Sequence, residues 1–294
     1  MDFHFYLGNH KFPFQDTLTD GMYCLAAGLA EQGHRFTVSH DHLDPGKINV
    51  LWELFSPKQS RELAECGLTY GIVTTEVPDG GGFNNRRDGD WGARWEGFCR
   101  AAGKASFIWS LVEDAVPAYE HLAPTTFVEL GYSPLLLPPK LDLPQTHDFC
   151  FFGYPTPYRI DVLTRLEKRA SVLWHRGLIA SGDLPKMIAH AKVGIALRLA
   201  DDWPIPSATR LSRLMHAGVG VACEGTRRTT RQSRLLPQQP KDMDFVDFAL
   251  ERLAGNSKAE AAETLERYRA ELPMKTVMEA VLDATLPAAA RAGR

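Results

Sequence analysis

The chain has 294 residues, of which 44% are apolar and 23% charged, and a formal net charge of −3. This is the composition of a globular protein with one large or two ordinary domains; it excludes a disordered chain and offers no bulk charge for a polyanion. Cys24, Cys66, Cys99, Cys150 and Cys223 are scattered without a CxxC pair, no run approaches a membrane span, and "MDFHFYLGNHK" lacks a signal-peptide layout, so reduced thiols and a cytoplasmic location are expected.

In chain order, short apolar runs alternate with amphipathic stretches. "FHFYL" has the pattern of a strand and Leu18 to Glu31 has helical spacing, while "RFTVSH", "INVLWELF" and "YGIVTTE" read as three further strands. A polar, glycine-rich stretch over 79–91 reads as a surface loop. A helix around "ARWEGFCRAAG", the strand "SFIWSL", a short helix and the strand "TTFVEL" follow. Between Ser133 and Pro144 lie four prolines, which lack the donor a sheet needs and mark an extended connection between domains.

Beyond that connection the alternation restarts. "DFCFFG", "SVLWH", "VGIALRL" and "VGVACE" are strands, separated by the helices "YRIDVLTRLEKR", "DLPKMIAHA" and "SATRLSRLMHAG", and the tail from Asp242 is helical throughout. Strands separated by helices imply right-handed βαβ units and largely parallel sheets. The expected fold class is α/β. Two Rossmann-like domains, residues 1–140 and 141–272, face each other across a cleft, and a C-terminal helix over 273–294 packs back on the first.

Ligands of open parallel sheets gather where the strands end. In the second half this singles out Gly153 and Tyr154, His175, Arg198, the helix start after "PIP" and Glu224. Ser207 is the N-cap candidate of that helix, with Thr209 and Arg210 in its first turn. A helix start offers unpaired N–H groups and a partial positive charge, which suit phosphate. An arginine there opposes the helix dipole and requires solvent or an anion; Arg198, at the end of the preceding strand, points to the same place. The alternative is a plain cap with Arg210 and Arg213 as surface cations.

Three segments, "FCFFGYPTPYRIDVLTRLEKR", "DLPKMIAHAKVGIALRL" and "PSATRLSRLMHAGVGVACE", together resemble the nucleotide-sugar-binding domain of GT-B-type glycosyltransferases. The likeness covers roughly 80 residues and points to the group of spore-maturation-type and group 1 sugar transferases. It implies a glycosyltransferase that takes a sugar from a nucleotide-sugar donor without a metal or other cofactor. Arg159 joins the donor-binding set through it, and Trp174-His175 falls where this fold meets the nucleotide base. Many retaining members carry a glutamate pair at positions that here are Ile205 and Arg213, so neither retaining chemistry nor that ribose contact carries over. A nucleotide-sugar epimerase of the same architecture and a non-catalytic nucleotide-sugar or glycan-binding module are the alternatives.

Sugar transfer needs a stabiliser for the leaving diphosphate, and inversion also needs a general base. The first half, on the acceptor side, offers Glu53 and Glu76 at strand ends and His10 and Asp16 in the first loop "GNHKFPFQD". Glu76, His10 and Asp16 are the expected catalytic residues, with burial expected to raise the pKa of Glu76. Asp88-Gly-Asp90 mimics a metal-binding DxD motif inside a glycine-rich loop and is set aside as a chance match. "EGTRRTTRQSR" reads as a solvated basic loop that also suits donor phosphates, an anionic glycan or nucleic acid. The acceptor is expected to be a glycan, protein or small molecule, with nucleic acid less favoured because the chain is acidic overall.

Overall fold

A computed structural model describes residues 1–7, 15–53, 57–84, 90–177, 179–180, 182–255 and 257–286, with the side chains of 15–18, 57, 90–91 and 257 excepted. The chain folds into two compact units. One comprises Met1–Gln15, Gly28–Val128 and Lys275–Arg294, the other Asp16–Ala27 and Glu129–Met274. The main division therefore falls at Val128, ahead of the proline-rich connection that the sequence suggests, and the chain returns to the first unit after Met274.

The first unit is built on a sheet of six strands, all paired in parallel. These are β1 (Asp2–Tyr6), β2 (Arg35–Ser39), β3 (Ile48–Trp52), β4 (Tyr70–Thr74), β7 (Phe107–Ser110) and β8 (Thr125–Phe127), and they lie in the order β2-β1-β3-β4-β7-β8. Every residue of the central strand "YGIVT" is buried, the continuous apolar pattern of a strand covered on both faces. Helix α1 (Gln15–Glu31) follows β1, and its residues 16–27 belong to the second unit. Helix α2 (Pro57–Glu65) enters between β3 and β4, where the sequence pattern predicts strands alone. Its nine residues "PKQSRELAE" hold Leu63 and Ala64 as their only apolar side chains besides the proline, too few to stand out by periodicity. The stretch expected as a surface loop contains a short hairpin, β5 (Pro78–Asp79) with β6 (Gly82–Phe83), because Phe83 is fully buried against Trp95 and Phe98. Helices α3 (Asp90–Ala102) and α4 (Val116–Tyr119) complete the βα rhythm.

The second unit carries a parallel sheet of four strands, β9 (His147–Phe151), β10 (Val172–Trp174), β11 (Ala191–Ala196) and β12 (Gly220–Cys223), in the order β10-β9-β11-β12. They alternate with helices α5 (Pro157–Glu167), α6 (Leu184–Ala189) and α7 (Ala208–His216). Thr156 caps α5 by accepting from the Arg159 amide at 3.3 Å, and Pro157 occupies its first turn. Gly218 stops α7 in the left-handed conformation, φ +61°. The tail is interrupted rather than continuous: α8 (Arg231–Arg234), α9 (Phe245–Ala254), α10 (Ser257–Glu271) and α11 (Met274–Thr285), with breaks at Gly255 and Pro273. Phe149, Phe151, Leu163, Val193, Ile195, Phe245 and Phe248 form the core between the sheet and the helices α5 and α9. All five cysteines are thiols, and Cys24, Cys150 and Cys223 are buried.

Candidate functional site

Three strand ends of the second unit bring Gly153, Arg198 and Glu224 to one edge of the sheet, and the helices that follow add Arg159 and Arg210. Both of these arginines are buried, at 4% and 6% exposure. Arg210 donates from Nε to the Phe152 carbonyl at 2.8 Å and from Nη1 to the Leu197 carbonyl at 3.1 Å. Arg159 donates to the carbonyls of Arg198, Tyr154 and Leu197 at 2.7, 2.9 and 3.1 Å. The Phe151 ring lies under both, with the guanidinium carbons 5.0 and 5.7 Å from its centroid. Among the described residues no carboxylate is hydrogen-bonded to either guanidinium. Desolvation, with the neighbouring Arg159 charge adding to it, pushes the pKa of Arg210 well down, and desolvation pushes that of Arg159 down to about 10.

Gly153 makes room for this arrangement. Its φ is +132°, and a Cβ there would stand 2.2 Å from Nη2 of Arg210. That nitrogen therefore lies against bare backbone at the end of β9.

Arg198 and Glu224, expected as separate ligand contacts, engage each other. Arg198 Nη2 lies 2.8 Å from Glu224 Oε1, and the Arg198 amide donates to Oε2 at 2.8 Å. Tyr158, which strand-end position does not single out, donates its hydroxyl to Oε1 and accepts from Arg198 Nη2 at 3.0 Å. Asp201 also takes bonds from the Arg198 guanidinium. Burial lowers the proton affinity of Arg198, but Glu224 more than offsets it and the pKa stands above its ordinary value. Burial and the Glu224 carboxylate both hold the Tyr158 phenol above its ordinary value. The Glu224 carboxylate is thus bonded to Arg198 and also acts through its charge on Arg159, while no carboxylate is hydrogen-bonded to Arg159 or Arg210 among the described residues.

Ser207 stands at the N-cap of α7, but its side chain makes no capping bond, and Thr209 is half-buried in the first turn. The first amides of α7 consequently lack the usual side-chain acceptor. Tyr154 is exposed, as is His175 after the edge strand β10. The neighbouring Trp174 is occupied by Glu167 on its indole N–H and by Arg176 over its ring. Arg213, the second arginine of α7, turns the other way and forms a bidentate pair with Asp20 of α1.

The first unit places carboxylates at its own strand ends. Glu53, after β3, is 2% exposed and accepts from the Thr75 amide and, at 2.6 Å, from the Thr75 hydroxyl. Desolvation, reinforced by the charge of Glu76, pushes its pKa up to about 8. Glu76, after β4, pairs with Arg94 at 2.9 Å and accepts from Asn84, whose φ of +58° is held by the turn back from the hairpin. Burial without a cation therefore falls on Glu53 rather than on Glu76. His10 and Asp88 lie outside the described residues, as do the side chains of Asp16 and Asp90. Among the described residues, no three His, Cys, Asp or Glu side chains cluster as a metal site, and no helix is long and apolar enough to cross a membrane.

No protein-family model matches the chain, and no curated protein matches it in sequence. Solved structures do match. The β-glucosyltransferase of phage T4 superposes with a TM-score of 0.57 at 10% identity, over 98% of this chain and 100% of that one. AviGT4, a glycosyltransferase involved in avilamycin A biosynthesis, gives 0.56 at 12% identity over 97% of each chain. TarM of S. aureus gives 0.53 at 11% identity over 83% of this chain, which spans only 56% of TarM. The fold of this chain is therefore the GT-B fold of these glycosyltransferases.

Proposed function

We propose that the chain is a glycosyltransferase that takes a sugar from a nucleoside-diphosphate donor held at the strand edge of its second unit. The observation that carries this is the pair of buried guanidinium groups Arg159 and Arg210, beside Gly153, which are hydrogen-bonded to backbone carbonyls and, among the described residues, to no carboxylate. A buried charge without a partner is costly, and arginine cannot shed its proton to escape that cost. The pyrophosphate of a nucleotide sugar carries two negative charges, which matches two guanidinium groups once Arg198 is neutralised by Glu224. In this reading Nη2 of Arg210 and the amides at the start of α7, which have no side-chain cap, donate to it. Cations fixed in a site shielded from water stabilise the extra charge that develops when the nucleoside diphosphate leaves, without a metal ion. The T4 enzyme has been solved with UDP-glucose and TarM with UDP, and the same donor class is proposed for this chain. On the acceptor side Glu76 is the proposed base, oriented by Arg94 and Asn84, with Glu53 as a proton-bearing neighbour.

A thermal-shift panel of UDP, GDP, CDP, dTDP and ADP, with and without EDTA, tests the donor site on wild type and Arg210→Met. One diphosphate is expected to stabilise wild type by about 2.7 kcal/mol at a hundred times its Kd, with EDTA present, and to leave the variant unmoved. Equal shifts in both proteins would remove Arg210 from the site, and no shift with any nucleotide would remove the donor reading itself.

A further inference from the structure

From Gly225 to Lys241 the chain carries four arginines and one lysine and no acidic residue, within a protein of net charge −3. The segment leaves the carboxyl end of β12 and is fixed in place. The Gly225 amide donates to Gln239 at 2.8 Å, the Thr226 hydroxyl to the Arg228 carbonyl at 2.6 Å, and the Arg228 amide to the Pro204 carbonyl at 3.0 Å. Thr230 and Ser233 close a capping box on α8, while Gln232, Ser233, Leu235 and Leu236 are buried beneath it. Folding this way turns Arg227, Arg228, Arg231 and Arg234 outward, all exposed. Arg231 is steadied by the Glu271 carbonyl at 2.6 Å and Arg234 by the Thr229 hydroxyl at 3.5 Å. Arg227, Arg231 and Arg234 enter no direct ion pair among the described residues, although the charges of Arg231 and Arg234 act on the carboxylate of Glu129, which accepts from the Gln232 amide of α8. The result is an ordered row of cations rather than a loose basic loop.

We infer that this arginine row is a surface for the phosphodiester backbone of a duplex nucleic acid. Arginine forks match phosphate oxygens bidentately, whereas a lysine-rich patch would act as point charges. The segment also contains no aromatic side chain between Glu224 and Phe245, and its two leucines are buried. Single strands are gripped by stacking their bases on aromatic residues, and sugar polymers by packing ring faces on apolar surface. Neither handle is present. A duplex hides its bases and presents regularly spaced phosphates, the partner that cations alone can hold. Its role as the acceptor rests on the transferase reading; the binding itself does not.

The test is fluorescence anisotropy with a labelled duplex of about 20 base pairs, titrated across salt from about 50 to 200 mM. Replacing Arg227, Arg231 and Arg234 together by Gln is expected to flatten the slope of log K against log salt by about 2.7, since each phosphate contact contributes about 0.9. The triple Arg→Lys variant keeps the slope, and the UDP thermal shift of the Gln variant stays at its wild-type size, showing that the fold is intact. The proposal is overturned by an unchanged slope, by no binding at the lowest salt, or by heparin or a single strand displacing the duplex more strongly than unlabelled duplex does. Duplex binding in a wild type that ignores every nucleotide would sink the donor reading alone.

Discussion

The two units put opposite charges at equivalent places, the carboxyl ends of parallel strands, and they relieve the cost of burial differently. In the first, Glu53 is buried without a cation and can neutralise itself by taking a proton, which its raised pKa of about 8 reflects. In the second, Arg159 and Arg210 are buried with no carboxylate hydrogen-bonded to them among the described residues, and a guanidinium has no comparable escape near neutral pH. Backbone carbonyls supply partial negative charge but no whole one. A buried carboxylate can thus meet the cost of burial by itself, whereas a buried arginine pair meets it only through the groups around it.

The sharpest way to break this contrast is Gly153→Ala. A methyl group 2.2 Å from Arg210 Nη2, at a φ of +132°, is expected to cost about 3 kcal/mol and to abolish the diphosphate response, read by chemical denaturation and thermal shift. A stable variant that still binds nucleotide would show that Nη2 is not held where the ligand must lie.

Glu53→Gln comes next. Below the unfolded value of 4.5 both states of wild type are protonated; between there and about 8 only the folded state holds the proton. Above about pH 6.5, where His216 no longer contributes, wild-type stability is thus expected to fall as pH rises by about 1.4 kcal/mol per unit, and the Gln variant should be flat there. Parallel pH–stability curves for the two proteins would mean that Glu53 is ionised throughout.

His216 reports the opposite sign from the second unit. Its Nδ1–H donates to the Ser212 carbonyl at 2.7 Å and its Nε2 accepts from the Ser133 amide at 3.1 Å, so the neutral ring is the one the fold uses. Burial lowers its pKa from 6.5, and stability present above that value is lost as pH falls below it. His216→Gln should remove this acid limb while leaving the alkaline behaviour of Glu53 intact. The smallest effect is at Asp20→Asn, which loosens the pair with Arg213 at a cost of about 1 kcal/mol and leaves nucleotide binding unchanged. A lost nucleotide response there would tie Arg213 to the ligand after all.

Much of the fold was legible because the second unit's strands are short apolar runs punctuated by Gly and Pro, as at Val219 to Cys223 after Gly218. Helix α2 was not, since its nine residues expose a nearly uniform polar face, and the β5–β6 hairpin was masked by its glycines until Phe83 supplied a buried anchor. For the candidate site, strand-end position singles out Gly153, Arg198, Arg210 and Glu224, the family resemblance adds Arg159, and the structure brings these five residues together. Neither could tell which cation is neutralised, because the Arg198–Glu224 pair joins residues 26 apart and the Arg213–Asp20 pair residues 193 apart. Tyr158 carried one available signal, its place in the first turn of a helix that begins at a strand end.

Arg159 has a further consequence through its three carbonyl partners, on Tyr154, Leu197 and Arg198. They belong to two different loops, so its side chain acts as a cross-brace that fixes the spacing of those loops whether or not a ligand is present. The conformational entropy of ordering this long side chain is lost when the chain folds and not when an anion arrives. The spacing of the two loops is therefore a property of the folded unit itself.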